Sequence, residues 1–318
     1  MVSWIWIPLS ILFFVLLLLL VIGWQVVTFA LARHASRAMA FQDLDLDAYK
    51  TEDVPESPAA WAAAHAADDW VQKTLGGLTL RAWHFPASGP SRRWAVLVHG
   101  YTGSAEMCFP WAKRFHERGF HVLAVDCRAH GRSEGRYIGM GWPDRLDLVG
   151  WTRKIESVDP GARIALYGVS MGGATVMMAS GERNLAPGVV CIVEDCGYTS
   201  VYDEFAHRGR RMFHMPPFPV IHLTSLVCLF RCGWSLIGAS AVRQIRKHNL
   251  PMLFIHGEED DYVPFPMVHR LYAAARGPKE CYTVPGAGHG LSSAVDPQYW
   301  DRVFSFIDSH LPMEEPHL

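Results

Sequence analysis

The chain has 318 residues, half of them hydrophobic and 19% charged, which is enough for one large globular domain plus an apolar segment. Its 29 Lys and Arg against 31 Asp and Glu leave a formal net charge of −2, and no basic stripe with interleaved aromatics runs through it, which excludes a nucleic-acid module. Seven cysteines (Cys108, Cys127, Cys191, Cys196, Cys228, Cys232 and Cys281) form no evident disulfide framework. The Cys191/Cys196 and Cys228/Cys232 spacings could be read as metal pairs, but small buried hydrophobes are the usual fate of free cysteine.

From Met1 to Ala32 there is no Asp, Glu, Lys or Arg. At about 1.5 Å per residue the run from Trp4 to Thr28 is long enough to cross the roughly 30 Å hydrocarbon core of a bilayer. Trp4 and Trp6 near one end and Trp24 near the other fall where interfacial aromatics are favoured. Residues 1–32 therefore read as a single transmembrane anchor. Ala30-Leu31-Ala32 resembles a signal-peptide cleavage site, yet the basic n-region is missing and the apolar run exceeds the usual h-region of about 7–15 residues. A soluble core helix is rarely apolar on all faces at this length. Arg33 and Arg37 follow the span, which by the positive-inside rule would leave the body in the cytoplasm.

Residues 33–77 are rich in Ala and acidic residues and read as a juxtamembrane linker with helical pieces, Asp43, Asp45 and Asp47 forming a solvated face. The main domain then runs over residues 78–318. Strands are predicted at Leu78–His84, Trp94–Val98, His121–Asp126, Arg163–Tyr167, Val189–Val193, Pro251–Ile255 and Cys281–Val284. Helices are predicted near Ala105–Arg118, Asp144–Ser157, Met171–Arg183, Pro264–Ala275 and Gln298–His310. Near-continuous apolar strands alternating with helices imply an α/β fold, a mostly parallel sheet covered on both faces. The alternation breaks at about residues 197–250, which include the apolar stretch Val220–Ile237. A structureless loop of that length is unusual, so a small helical lid is expected, lining a substrate site or packing peripherally.

Gly168-Val169-Ser170-Met171-Gly172 follows a predicted strand and opens a predicted helix. That context is the nucleophile elbow, a tight turn that lifts a serine hydroxyl above the sheet. His99-Gly100-Tyr101-Thr102-Gly103 follows an earlier strand, so the backbone N–H groups of Tyr101 and Met171 are the expected oxyanion hole. After the strand ending at Ile255 come His256-Gly257-Glu258-Glu259-Asp260-Asp261, four adjacent carboxylates of which any could be a solvated loop charge. Gly288-His289-Gly290 follows the last strand, where a histidine can project over the C-terminal edge of the sheet.

From about Leu78 to Leu311 the chain resembles the α/β-hydrolase superfamily, and within it the membrane-anchored bacterial serine hydrolases of the serine-aminopeptidase-like and acyl-esterase group. Asp126-Cys127-Arg128-Ala129-His130-Gly131-Arg132-Ser133 resembles that group's Asp-x-Arg-x-His-Gly-x-Ser loop, and Glu194-Asp195-Cys196-Gly197-Tyr198 its segment entering the lid; both read as structural supports. The resemblance implies the triad Ser170, Asp260 and His289, because the acid lies four residues after the histidine of the His-Gly pair; Asp261 is the runner-up. It also implies an extracytoplasmic body, against Arg33 and Arg37, and that is the expectation adopted. The function implied is hydrolysis of an ester, thioester or amide through an acyl-enzyme, most simply by a carboxylesterase. A peptidase, a thioesterase and a non-catalytic membrane-anchored binding protein are the alternatives. No cofactor or metal is needed. The partners expected are a small-molecule or lipid-like acyl substrate and the membrane. Phe213, Met215, Phe218, Ile221, Leu223, Leu226, Leu229 and Phe230 offer more apolar surface than a solvated loop would carry, so part of the lid is expected to line an acyl pocket.

Overall fold

The computed structural model describes residues 3–33, 57–66 and 68–311. Most of the expected linker, with Arg37, Asp43, Asp45 and Asp47, lies outside the described residues. An N-terminal helix α1 (Ser3–Leu31) and a short α2 (Pro58–His65) precede the sheet. The strands are β1 (Asp68–Lys73), β2 (Thr79–Phe85), β3 (Arg93–Val98), β4 (His121–Val125), β5 (Arg163–Val169), β6 (Val189–Asp195), β7 (Met252–Gly257) and β8 (Lys279–Val284). Their spatial order is β1-β2-β4-β3-β5-β6-β7-β8, with β1 and β2 antiparallel at one edge and every pairing from β4 onward parallel.

Helices α3 (Phe109–Glu117), α4 (Asp144–Val158), α5 (Met171–Ser180), α9 (Pro266–Ala274), α10 (Ser292–Val295) and α11 (Tyr299–His310) connect or follow the strands. The period of two in β3 explains the two-layer core. Trp94, Val96 and Val98 join one apolar layer with Trp151, Met177 and Leu271, while Ala95 and Leu97 join the other with Phe115, Tyr167 and Phe304. Burial on both faces accounts for the unbroken apolar run of such strands.

Every expected strand is present within one or two residues of its predicted bounds, but β1 was not expected. It lies inside residues 33–77, where a linker was predicted, so the sheet begins ten residues before residue 78. Its sequence Asp-Asp-Trp-Val-Gln-Lys is mostly polar because it is an edge strand with one face in solvent. Between β6 and β7 the insertion folds as three helices, α6 (Val201–Phe213), α7 (Pro217–Cys232) and α8 (Ala241–Ile245), the small helical lid.

Candidate active site

Ser170 sits between β5 and α5 with φ +58° and ψ −117°, a region that costs a non-glycine residue energy and persists only where the surroundings impose it. The surroundings do impose it. The Ser170 N–H donates to the Asp195 carbonyl on β6 at 2.8 Å. A methyl on Gly172 would stand 2.0 Å from the Val98 carbonyl oxygen, and one on Gly168 would stand 2.3 Å from that of Gly172, so the glycines of the motif allow the backbone its close approach.

At the C-terminal edge of the sheet three loops converge. Ser170 Oγ–H donates to His289 Nε2 at 2.8 Å, and His289 Nδ1–H donates to Asp260 Oδ2 at 2.7 Å. Asp260 Oδ1 accepts the N–H groups of Tyr262 and Val263 at 3.0 and 2.9 Å. His256 Nε2 stands 3.2 Å from Asp260 Oδ2 and donates to the Val263 carbonyl at 2.9 Å. Burial alone would raise the Asp260 pKa, but the charges and hydrogen bonds of His289 and His256 outweigh it and hold the carboxyl well below its usual range. Burial works to lower the His256 pKa, and its hydrogen bond to Asp260 and the charge of that carboxylate raise it above its ordinary value. The Tyr262 ring stacks on His289 at 4.8 Å, and the Arg208 guanidinium lies 4.0 Å from the centre of the Tyr262 ring, so the imidazole is held by packing as well as by Asp260. Asp261 lies apart: it is exposed, and pairs with Arg211 of α6.

The loop after β3 runs beside the serine, since a methyl on Gly100 would touch Ser170 Cβ at 3.6 Å. Met171 is the first residue of α5, so its N–H has no acceptor within the helix. Tyr101, Met171 and Ser170 all border one cavity of about 680 Å³. Its other walls are mostly apolar, with Gln25, Glu204 and Arg208 as the polar exceptions, and come largely from the lid and from α1. Of the lid residues expected there, Phe213, Met215 and Ile221 line it, whereas Phe218, Leu226, Leu229 and Phe230 face outward. A larger and more open groove of about 1030 Å³, bordered by Asp68, Trp70, His84 and His121, lies at the other end of the strands, far from this chemistry.

The expected supports behave as supports. Asp126 accepts the Ala105 N–H and the Arg132 side chain, and Arg128 forms a two-pronged pair with Asp147 at 2.7 and 2.8 Å. His130 Nε2 accepts the Thr102 N–H at 3.2 Å, fixing the loop that carries Tyr101. Asp195 accepts the Tyr299 and Ser292 hydroxyls. Cys196, Asp260 and His289 offer donor atoms within 4.8 Å of one another, the one metal-like cluster among the described residues. That set suits a metal poorly, because Asp260 and His289 are spent on each other and burial pushes the Cys196 thiol well up. Five of the seven cysteines are buried, and neither spaced pair gathers a ligand set.

Three participants were not singled out from the sequence. His256 served as a landmark for Asp260, and nothing marked it as a second partner of that carboxylate. Tyr262 had no pattern to reveal it. Glu204 of α6 borders the cavity, buried, with neither carboxylate oxygen hydrogen-bonded among the described residues, and burial pushes its pKa up to about 8.

Comparison with known proteins points to the same fold. Residues 89–193 match the serine aminopeptidase S33 family. The Mycobacterium tuberculosis protein Rv2307c is 31% identical over 241 residues, covering 75% of this chain and 78% of that one. The Bacillus subtilis protein YqkD is 27% identical over 240 residues, 73% of this chain and 76% of that one. The solved Pyrococcus furiosus esterase Pf2001 superposes with a TM-score of 0.62 at 24% identity, over 78% of this chain and 94% of that one. The chain belongs to the α/β-hydrolase superfamily. It is a serine hydrolase of that fold.

Proposed function

We propose that the protein is a membrane-anchored carboxylesterase in which Ser170 is the nucleophile, His289 the general base and Asp260 the acid of the triad. The observation that carries this reading is the hydrogen-bonded line Ser170–His289–Asp260 at the floor of an apolar cavity. His289 Nε2 takes the hydroxyl proton as Ser170 Oγ attacks the ester carbonyl, and the carbonyl electron pair moves to oxygen. The N–H groups of Tyr101 and Met171 receive that oxyanion. As the tetrahedral centre collapses, His289 returns the proton to the departing alcohol. Water, deprotonated by the same nitrogen, then releases the acid and regenerates Ser170. Asp260 holds the imidazole tautomer and stabilises the imidazolium. The name of Pf2001, an esterase, favours the same reaction.

One observation favours an amide alternative. Glu204 is a buried carboxyl at the cavity wall with no hydrogen-bond partner among the described residues, suited to a substrate's free amino group, and the matching family is described as aminopeptidases. A fluorophosphonate probe with wild type and Ser170→Ala, followed by p-nitrophenyl esters, an acyl thioester and aminoacyl anilides, tests both readings. The Ser170→Ala variant should lose labelling and turnover by several orders of magnitude while remaining folded. Turnover of anilides but not esters would reject the esterase in favour of the peptidase.

In the same reading residues 1–32 are the anchor, residues 33–77 contain the linker up to β1, and the body with its lid lies outside the cytoplasm. From Trp6 to Leu31 α1 runs without a charged residue and with mean hydropathy 2.8, long enough to cross a membrane. Cys281 is exposed, so a membrane-impermeant maleimide applied to intact cells should label it. Labelling that requires lysis would put the body on the cytoplasmic side.

A further inference from the structure

Helix α1 is apolar on every face, so its composition cannot separate lipid-facing from protein-facing positions. Packing separates them. Gly23, Val27 and Leu31, at helical spacing, are buried against the body. Gly23 lies on the backbone of α7, where a methyl would stand 3.1 Å from Thr224 Cα, so a side chain there would push the two helices apart. The Tyr101 hydroxyl donates to the Ala30 carbonyl at 2.6 Å. Arg231 of α7 donates to the Trp24 carbonyl and Thr28 Oγ1 at 2.9 and 2.7 Å, with its guanidinium 3.9 Å from the centre of the Trp24 ring. Just past the helix, Ile138 N–H donates to the Leu31 carbonyl, and the Arg33 guanidinium donates to the Ser133 and Gly131 carbonyls. The residues that resemble a cleavage site are therefore built into the folded body.

The adjacent stripe of α1, Ile22, Val26 and Phe29, borders the cavity above Ser170, with Met212 and Phe213 of the lid also on its wall. We infer that the last turns of α1 form one wall of the acyl site, and that the substrate is a membrane-resident acyl lipid whose chain reaches Ser170 between α1 and the lid. This rests on the esterase reading above. Two further observations carry it. By Leu20 the helix has risen about 26 Å from Ser3, close to the roughly 30 Å thickness of the hydrocarbon core, so Val21–Ala30 stand at the level where lipid chains join their headgroups. The lid turns apolar side chains outward near the same helix: Phe218 is 72% and Phe230 81% exposed, with Leu226 and Leu229 also exposed and Phe213 in edge contact with Phe29. A patch of that kind, continuous with a membrane-spanning helix, fits a bilayer surface.

The test uses the full-length protein in phosphatidylcholine nanodiscs, with p-nitrophenyl acetate and p-nitrophenyl laurate as probes. Val26→Trp fills the wall and should lower the laurate-to-acetate ratio of specificity constants about tenfold or more, since each excluded methylene is worth roughly fourfold. Leu17→Trp, on the exposed side of α1, should leave that ratio unchanged. Val26→Ala widens the wall and should shift the laurate-to-acetate ratio the opposite way, which keeps the inference testable if the tryptophan variant does not fold. A laurate-to-acetate ratio unchanged in the folded variants, or an equal fall for both esters, overturns the inference. Wild-type protein that a small fluorophosphonate fails to label at Ser170 fails the esterase reading instead, and the two outcomes are read separately.

Discussion

Replacing Asp260 by asparagine keeps the shape of the side chain and removes its charge, and the neighbouring hydrogen bonds dictate which way the new amide turns. With its oxygen toward Tyr262 and Val263, the amide keeps both backbone N–H bonds and points its NH2 at His289. Turned the other way, it would set two buried N–H donors against its own, at about 1–3 kcal/mol for each group left unsatisfied. The first orientation wins. His289 Nδ1 must then accept, so its ring proton moves to Nε2, the nitrogen facing Ser170 Oγ, which can no longer take the hydroxyl proton. The buried His256 also loses the carboxylate that raises its pKa. We expect Asp260→Asn to lower kcat/KM for p-nitrophenyl butyrate by about 10³–10⁴, or roughly 4–5.5 kcal/mol of transition-state stabilisation. Asp261→Asn loses only an exposed pair with Arg211 and should stay within about threefold. Both variants are to be assayed as full-length protein in detergent, with folding checked by circular dichroism. Activity of a folded Asp260→Asn within tenfold of wild type, or a larger loss in Asp261→Asn, would refute the reasoning.

Two further outcomes follow from burial. Leu31 is fully buried among Leu80 and Val96, so Leu31→Ala should destabilise the body by about 2–5 kcal/mol in a denaturant titration, whereas Leu16→Ala, at an exposed position, should have little effect; equal effects would make the end of α1 peripheral. Glu194 and Glu204 each have a pKa pushed by burial from 4.5 up to about 8, so the folded state retains protons that the unfolded chain has released. Their contribution is therefore intact below about pH 4.5 and is lost as pH rises through about 8, by up to several kcal/mol. Glu204→Gln, neutral at every pH, should lose less melting temperature between pH 6 and pH 9 than wild type; an identical loss would show that Glu204 does not titrate over that range.

The elements that show in the sequence are those whose geometry is local. Gly168 to Gly172 is readable because a strained strand-to-helix turn admits few residue types, and the parallel strands because burial on both faces demands an unbroken apolar run. The meeting of Ser170, Asp260 and His289 was legible as chain order at successive strand ends. The choice of Asp260 over Asp261 needed the resemblance, since adjacent carboxylates look alike until one is enclosed by two histidines and two backbone amides. Strand β1 escaped because an edge strand keeps polar residues. Glu204 stands in a lid segment rich in charges, with nothing in the sequence to mark it as buried, and its burial comes from the lid folding over the sheet. For α1 the sequence determined an apolar helix of membrane-crossing length and nothing about its faces, because a uniformly apolar helix has no periodic signal. Which stripe stays exposed, which meets α7 and which borders the cavity over Ser170 was decided by tertiary packing alone, through contacts between residues some two hundred positions apart, such as Trp24 and Thr28 with Arg231.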